Sequence, residues 1–310
     1  MRRFSQILPT FACPRSEFLL LVAGLLLFVS TPASVLAQTE GEQEHMLWTI
    51  SKDGETAGYL VGSVHYMKPD VYPLPSSYEE AFQASDVLAF EINRDSAQAK
   101  AQGLIRQLGM YPGSKRLESE LADSTYTLLR ARADTLGLNL NRLQRMEPWV
   151  LSLIVPTTQM RKAGYSEKSG IDTHFFEKAK QAGKERVAFE TAAEQLRFFD
   201  QFPPDRQAAY LHYSLLEADR TVQMIDETSA AWQRGDADEI KALVQDEMKT
   251  DFPGLYQTLI VERNQNWMSS INDLLASEKR PMIVVGAGHV VGEDGLVAML
   301  REEGHTVQQQ

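Results

Sequence analysis

The sequence predicts an α/β fold: a central, largely parallel sheet with strands from both ends of the chain and a large helical insertion. Three observations carry that prediction. Four short apolar runs read as strands: YLVG at 59–62, VLAF at 87–90, RVAF at 186–189 and MIVV at 282–285. One helix-like stretch separates the first two over roughly 30 residues, the spacing of a βαβ unit with parallel pairing. Long amphipathic runs then fill the chain between the early and late strands.

The elements follow in order. Arg2 and Arg3 precede an apolar run, Phe18 to Val29, which Ser30, Thr31 and Pro32 break. Val35-Leu36-Ala37 then offers small residues to a signal peptidase, so residues 1–37 are expected to be a signal peptide cut after Ala37. The run is short against the ~20 residues of a spanning helix, which makes an uncleaved N-terminal anchor the lesser alternative. Residues 38–310 are expected to form one α/β domain. Leu47–Ser51 and Tyr59–Gly62 form a hairpin around Asp53-Gly54. Pro73, Pro75 and Ser76 announce a helix, SSYEEAFQAS, capped by Ser76 or Ser77. Helical insertions follow at about 96–165, punctuated by Pro112-Gly113, Gly137 and Pro148, and at about 205–278, punctuated by Gly235 and Pro253-Gly254. Between them, 162–170 reads as an exposed loop. Ser169 and Asp172 then form a capping box for a helix that ends at Gly183. A helix at 295–303 and an edge strand at 305–308 close the chain.

Composition narrows the function. The net charge of −11 argues against a nucleic-acid partner, which would want a basic face. Arg2, Arg3, Arg15 and Glu17 leave with the signal peptide, so the remainder carries −13 and no stable membrane span. Cys13 is the only cysteine, which excludes an intramolecular disulfide framework and a Cys-rich zinc site.

Each predicted strand delivers a His or Glu at its carboxyl end. Gly62-Ser63-Val64-His65 follows the first, Glu91 the second, Glu190 the third, and Gly286-Ala287-Gly288-His289 the fourth. In an open parallel sheet those ends share the edge where ligands bind. Two imidazoles and two carboxylates suit a divalent ion such as Mn²⁺, Co²⁺ or Zn²⁺, whose bound water would be the nucleophile. A metal-free site is the alternative, with one His as general base and a Glu orienting it. Each residue also has a plainer reading. A His after a strand is commonly a satisfied loop-start residue. Glu190 competes with a helix start, because Thr191 can cap Glu194. Asp172 reads as a cap, and Arg263 as a solvated helix residue unless it binds a substrate carboxylate or an oxyanion. Gly286-Ala287-Gly288 lacks the third glycine of a dinucleotide turn.

The chain resembles the TraB/GumN branch of the Tiki superfamily. The matching pieces are LWTISKDGETAGYLVGSVHYM, the Glu of VLAFEIN, SGIDTHFFEKAKQAGKERVAFETAAEQLRFF, LIVERNQNWMSSI and VVGAGHVVGEDGLVAMLREEGHTVQQ. The resemblance implies a fold similar to erythromycin-esterase-like and ChaN-like proteins. It implies a metal-dependent peptidase site at His65, His289 and Glu91, with Glu190 and Arg263 as neighbours. The expectation is an exported hydrolase, periplasmic or secreted, acting on a peptide or small-molecule substrate. A peptide-, metal- or haem-binding module without catalysis and a metal-free esterase are the alternatives.

Overall fold

Alternating burial along the first two strands builds a hairpin. β1 (Leu47–Lys52) pairs antiparallel with β2 (Glu55–Ser63) across a two-residue turn. Asp53 and Gly54 both have positive φ there, the twist a tight hairpin requires. The computed structural model describes residues 43–310; the expected signal peptide lies outside the described residues.

Helix α1 (Ser76–Ala84) leads to β3 (Val87–Ile92), and later segments add β4 (Glu185–Glu190), β5 (Pro281–Gly286) and β6 (Thr306–Gln309). The strand order is β4-β3-β5-β2-β1-β6. Pairs β4–β3, β3–β5 and β5–β2 are parallel, and β1 alone runs against the rest. The sheet is therefore mostly parallel with strands from both ends of the chain, as read.

Two details differ from expectation. β2 and β3 are parallel but not neighbours, because β5 from the far end of the chain separates them. β5 is buried at all but its last residue, and the most apolar strand belongs where both faces are covered. The apolar run RVAF predicts a buried strand, but β4 is an edge strand with every residue exposed or half-buried. An edge strand has one neighbour and less cover.

The helical material is α2 (Arg94–Leu108), α3 (Leu117–Glu120), α4 (Asp123–Leu136), α5 (Leu140–Leu143), α6 (Pro148–Lys162) and α7 (Ile171–Gln181). After β4 come α8 (Ala192–Asp200), α9 (Pro204–Leu216), α10 (Thr221–Arg234), α11 (Ala237–Lys241), α12 (Glu247–Asp251), α13 (Pro253–Tyr256) and α14 (Glu262–Leu275). The short α15 (Ala287–Val290) and then α16 (Leu296–Glu302) follow β5. One apolar cluster packs on the sheet, and a second, around Trp149, Leu211 and Leu215, holds α4, α6 and α9 together.

Local sequence sets the starts. Asn93 caps α2 by accepting from Ser96 N, and Thr191 with Glu194 forms the expected capping box on α8. The box expected from Ser169 and Asp172 is absent. Ser169 ends a 3₁₀ turn, Gly170 sits at the N-cap without a side-chain bond, and Asp172 turns elsewhere. Gly170 is required at that cap because an added Cβ would lie 2.3 Å from the His65 carbonyl oxygen.

Candidate functional site

The four parallel strands end on one edge, and the side chains that follow them meet there around Arg263. This guanidinium, on α14, is 7% exposed and has all five N–H donors engaged. Nε donates to Glu190 Oε1 at 3.0 Å and Oε2 at 3.2 Å. Nη2 donates to Glu91 Oε2 at 2.6 Å and Glu190 Oε2 at 2.9 Å. Nη1 donates to His289 Nε2 at 2.9 Å and to the Leu259 carbonyl at 3.3 Å. Leu259 lies in a π-helical turn, Gln257–Val261, just ahead of α14; such turns leave carbonyls outside the regular ladder.

The surroundings fix this cluster. Trp267 Nε1 donates to Glu190 Oε1 at 2.9 Å, and its ring lies 4.8 Å from the guanidinium carbon. Gln195 Nε2 donates to Glu91 Oε2 and Glu190 Oε2. The His289 turn is stapled twice. Asn264 Nδ2 donates to the His289 and Asp294 carbonyls, and Gln245, in a second π-helical turn, donates to those of Gly288 and Val291. Asn264 Oδ1 is then left to accept from His289 Nδ1 at 2.7 Å, which puts the imidazole lone pair on Nε2, facing Arg263. Burial, helped by Arg263 and opposed by Glu91, holds His289 down to about 3, so it is neutral. Burial would raise Glu91, yet Arg263, with His65 and the Gly286 N–H, holds it well below the usual carboxylate range. Arg263 itself is pushed up by Glu91 and Glu190 against the opposing effect of burial.

His65 stands apart, with its side chain 52% exposed at a cavity of about 250 Å³. Its Nδ1 lies 3.4 Å from Asp172 Oδ2, and its Nε2 lies 3.8 Å from Glu91 Oε1. Burial opposes charge on the imidazole, but Asp172 and Glu91 outweigh it and raise the group to about 9. Tyr66, Arg94, Glu167 and Gln195 complete the polar wall of the cavity.

The two glycine-histidine segments touch each other, and the glycines serve close approach. A Cβ on Gly62 would lie 3.2 Å from Ala287 Cα, at the start of the His289 turn. Gly286 donates its N–H to Glu91 Oε1 at 2.7 Å, and a Cβ there would stand 3.2 Å from that oxygen and 3.5 Å from His65 Nε2. Its φ of −53° is ordinary, so what glycine supplies is space.

His65, Glu91, Glu190, His289 and Arg263 are thus brought to one place, but not all in their expected posture. Arg263 has no donor left for a substrate carboxylate. A divalent ion at His65, Glu91 and His289 does not fit this arrangement. The His289 lone pair and Glu91 Oε2 are already given to Arg263, and the ion would stand beside a guanidinium. Two site residues were missed. Asp172 was read as a cap, yet it is 9% exposed and lies between His65 and Arg94. Its signal was a carboxylate on the buried stripe of α7, in register with Phe175, Phe176 and Ala179. Asn264, fully buried in register with Trp267, Met268 and Ile271, carried the same signal on α14.

This edge cluster of strand-end His and Glu can be compared with known proteins. The family description TraB/PrgY/gumN matches residues 46–309. The chain belongs to the TraB/PrgY/gumN family. Among curated relatives it is similar to uncharacterized protein YbaP of Shigella flexneri and of Escherichia coli K12. Each is 24% identical over 260 residues, covering 83% of this chain and 94% of the relative. No solved structure matches the chain. The family match spans all six strands, and so includes the four strand-end residues His65, Glu91, Glu190 and His289 as well as Arg263.

Proposed function

We propose that the chain is an exported hydrolase that cleaves a peptide or a related small acyl substrate with His65 as general base and without a metal. One observation carries the reading: Arg263 consumes the donors a metal would need, while His65 faces the cavity between two carboxylates. Taking a proton from water turns a neutral imidazole into imidazolium, and Asp172 and Glu91 stabilise that product. Glu91 Oε1, fixed by Gly286 N–H, borders the same space and orients the water. Tyr66 is a donor on the cavity wall where an oxyanion would form. Glu190 and Arg263 act through Glu91 and His289, which they hold in place. Export rests on the N-terminal apolar run and the small residues before position 38.

The test is release of product from short peptides by the purified protein and by His65→Ala. Loss of turnover by more than ~100-fold with an unchanged circular dichroism spectrum supports the assignment. Full activity in His65→Ala, or stoichiometric binding with no product in the wild type, overturns it.

A further inference from the structure

Arg263 cannot anchor a substrate, but a second arginine is placed to do so. Arg94, the first residue of α2, lines the catalytic cavity and also a groove of about 810 Å³ along α2, α7 and α8. Ile92, Arg94, Glu167 and Gln195 border both spaces, so the two adjoin. Beyond Arg94 the groove has an apolar strip of Ile92, Leu104, Ile105 and Leu196, with Asp95, Gln98 and Glu177 among the polar residues that border it.

Arg94 has two partners of different character. Nη1 donates to Asp172 Oδ2 at 2.8 Å, a buried carboxylate that fixes the guanidinium. Nη2 pairs with Glu167, whose side chain is 54% exposed. An exposed pair of this kind is weak and exchangeable. Glu167 therefore stands in for an external carboxylate. If Glu167 turns out to solvent, Arg94 Nη2 is left without its anion at the cavity, and an incoming carboxylate takes that place. Asp172 Oδ2 touches both Arg94 Nη1 and His65 Nδ1, which sets the two side chains beside each other on the cavity wall.

We propose that Arg94 is the substrate-anchoring residue: it holds the free terminal carboxylate of a peptide whose last side chain, bulky and apolar, lies in the α2–α8 groove. This rests on the hydrolase reading for its chemistry only. Water oxygen bonds to the last peptide carbonyl carbon, the C–N bond breaks, and the leaving nitrogen takes the proton. The products are a shortened peptide and one free amino acid. A guanidinium binds a carboxylate by charge-assisted, planar hydrogen bonds that a carboxamide does not reproduce.

Calorimetry on the purified full-length protein tests this, with acetyl-alanyl-alanyl-leucine and its terminal carboxamide as probes and product assayed in the same samples. The acid is expected to bind at least about tenfold tighter than the amide. Arg94→Gln should erase that difference. Glu167→Gln should tighten the acid several-fold and leave the amide unchanged, because it removes the internal competitor; this arm stands even if Arg94→Gln folds poorly. Equal binding of acid and amide, no binding of the acid at millimolar concentration, or an acid preference that survives Arg94→Gln overturns the proposal. An Arg94-dependent preference with no product upholds the anchor and defeats the hydrolase reading. Equal cleavage of acid and amide does the reverse.

Discussion

Replacing Arg263 by Met should be among the costliest changes in this protein, and the cost should depend on pH. Methionine keeps an apolar stem of similar length beside Trp267 and Phe198. It removes four contacts to two carboxylates whose side chains are only 11% and 9% exposed. Removing one side of a buried ion pair costs about 3–5 kcal/mol, because the remaining charge is left without a partner. That is a large part of an ordinary domain stability of about 5–15 kcal/mol. It corresponds to a fall in Tm of roughly 6–20 °C for a chain of this size class. The sign with pH follows from linkage. In the wild type, the folded-state pKa of Glu91 is depressed, so its contribution is present above the unfolded value and lost as pH falls. In Arg263→Met, burial raises Glu91 instead, so the variant gains relative stability as pH falls. Urea unfolding at about pH 7.5 and pH 5 should show the gap narrowing on the acid side. A loss below about 1 kcal/mol, typical of an exposed pair, or a gap independent of pH would refute the reasoning.

Three further outcomes follow from the same geometry. Asp172→Asn removes the anion beside His65 Nδ1, so the imidazole drops from about 9, and the alkaline rise in kcat/KM should move to lower pH; a fixed midpoint would disconnect Asp172 from the base. Gly286→Ala leaves the backbone unstrained but places a methyl 3.2 Å from Glu91 Oε1, so turnover should fall at least about tenfold while urea stability changes by no more than about 1 kcal/mol. The two site histidines should bend stability in opposite directions. His289, depressed to about 3, contributes stability that is present above 6.5 and lost as pH falls toward 3. His65, raised to about 9, contributes stability that is present below 6.5 and lost as pH rises through 9. His65→Ala should flatten only the alkaline side of a urea-midpoint profile, and flattening of the acid side instead would show the charges misassigned.

Much of the frame was legible in the sequence because its signals are local. Asp53-Gly54 made the hairpin turn, Thr191 with Glu194 made the α8 cap, and strand-end His and Glu marked the shared edge. Strand order was not local. Nothing near 282–285 says that β5 enters between β2 and β3; its burial decides that once the whole sheet forms. The same holds for Arg263. Its position on a helix was readable, but its six simultaneous bonds depend on Glu91, Glu190, Leu259 and His289 arriving from separate elements. Asp172 was misread because Ser169 three residues earlier mimics a capping box. The competing signal, a carboxylate in register with Phe175 and Phe176, was the one the fold obeyed. The separation between a buried Arg263 cluster and an exposed His65 also lies beyond sequence, since both histidines follow the same glycine spacing.

The most direct test of the central claim is peptide hydrolysis by protein exhaustively dialysed against a chelator, with metal content measured on the same sample. If Arg263 holds the position that an ion would take, turnover persists at less than about one-tenth of an equivalent of Mn, Co or Zn, and kcat/KM rises with pH toward the His65 value of about 9. Turnover lost on chelation and restored in proportion to one equivalent of added Mn²⁺, Co²⁺ or Zn²⁺ would contradict the account and return His65, Glu91 and His289 to the role of metal ligands.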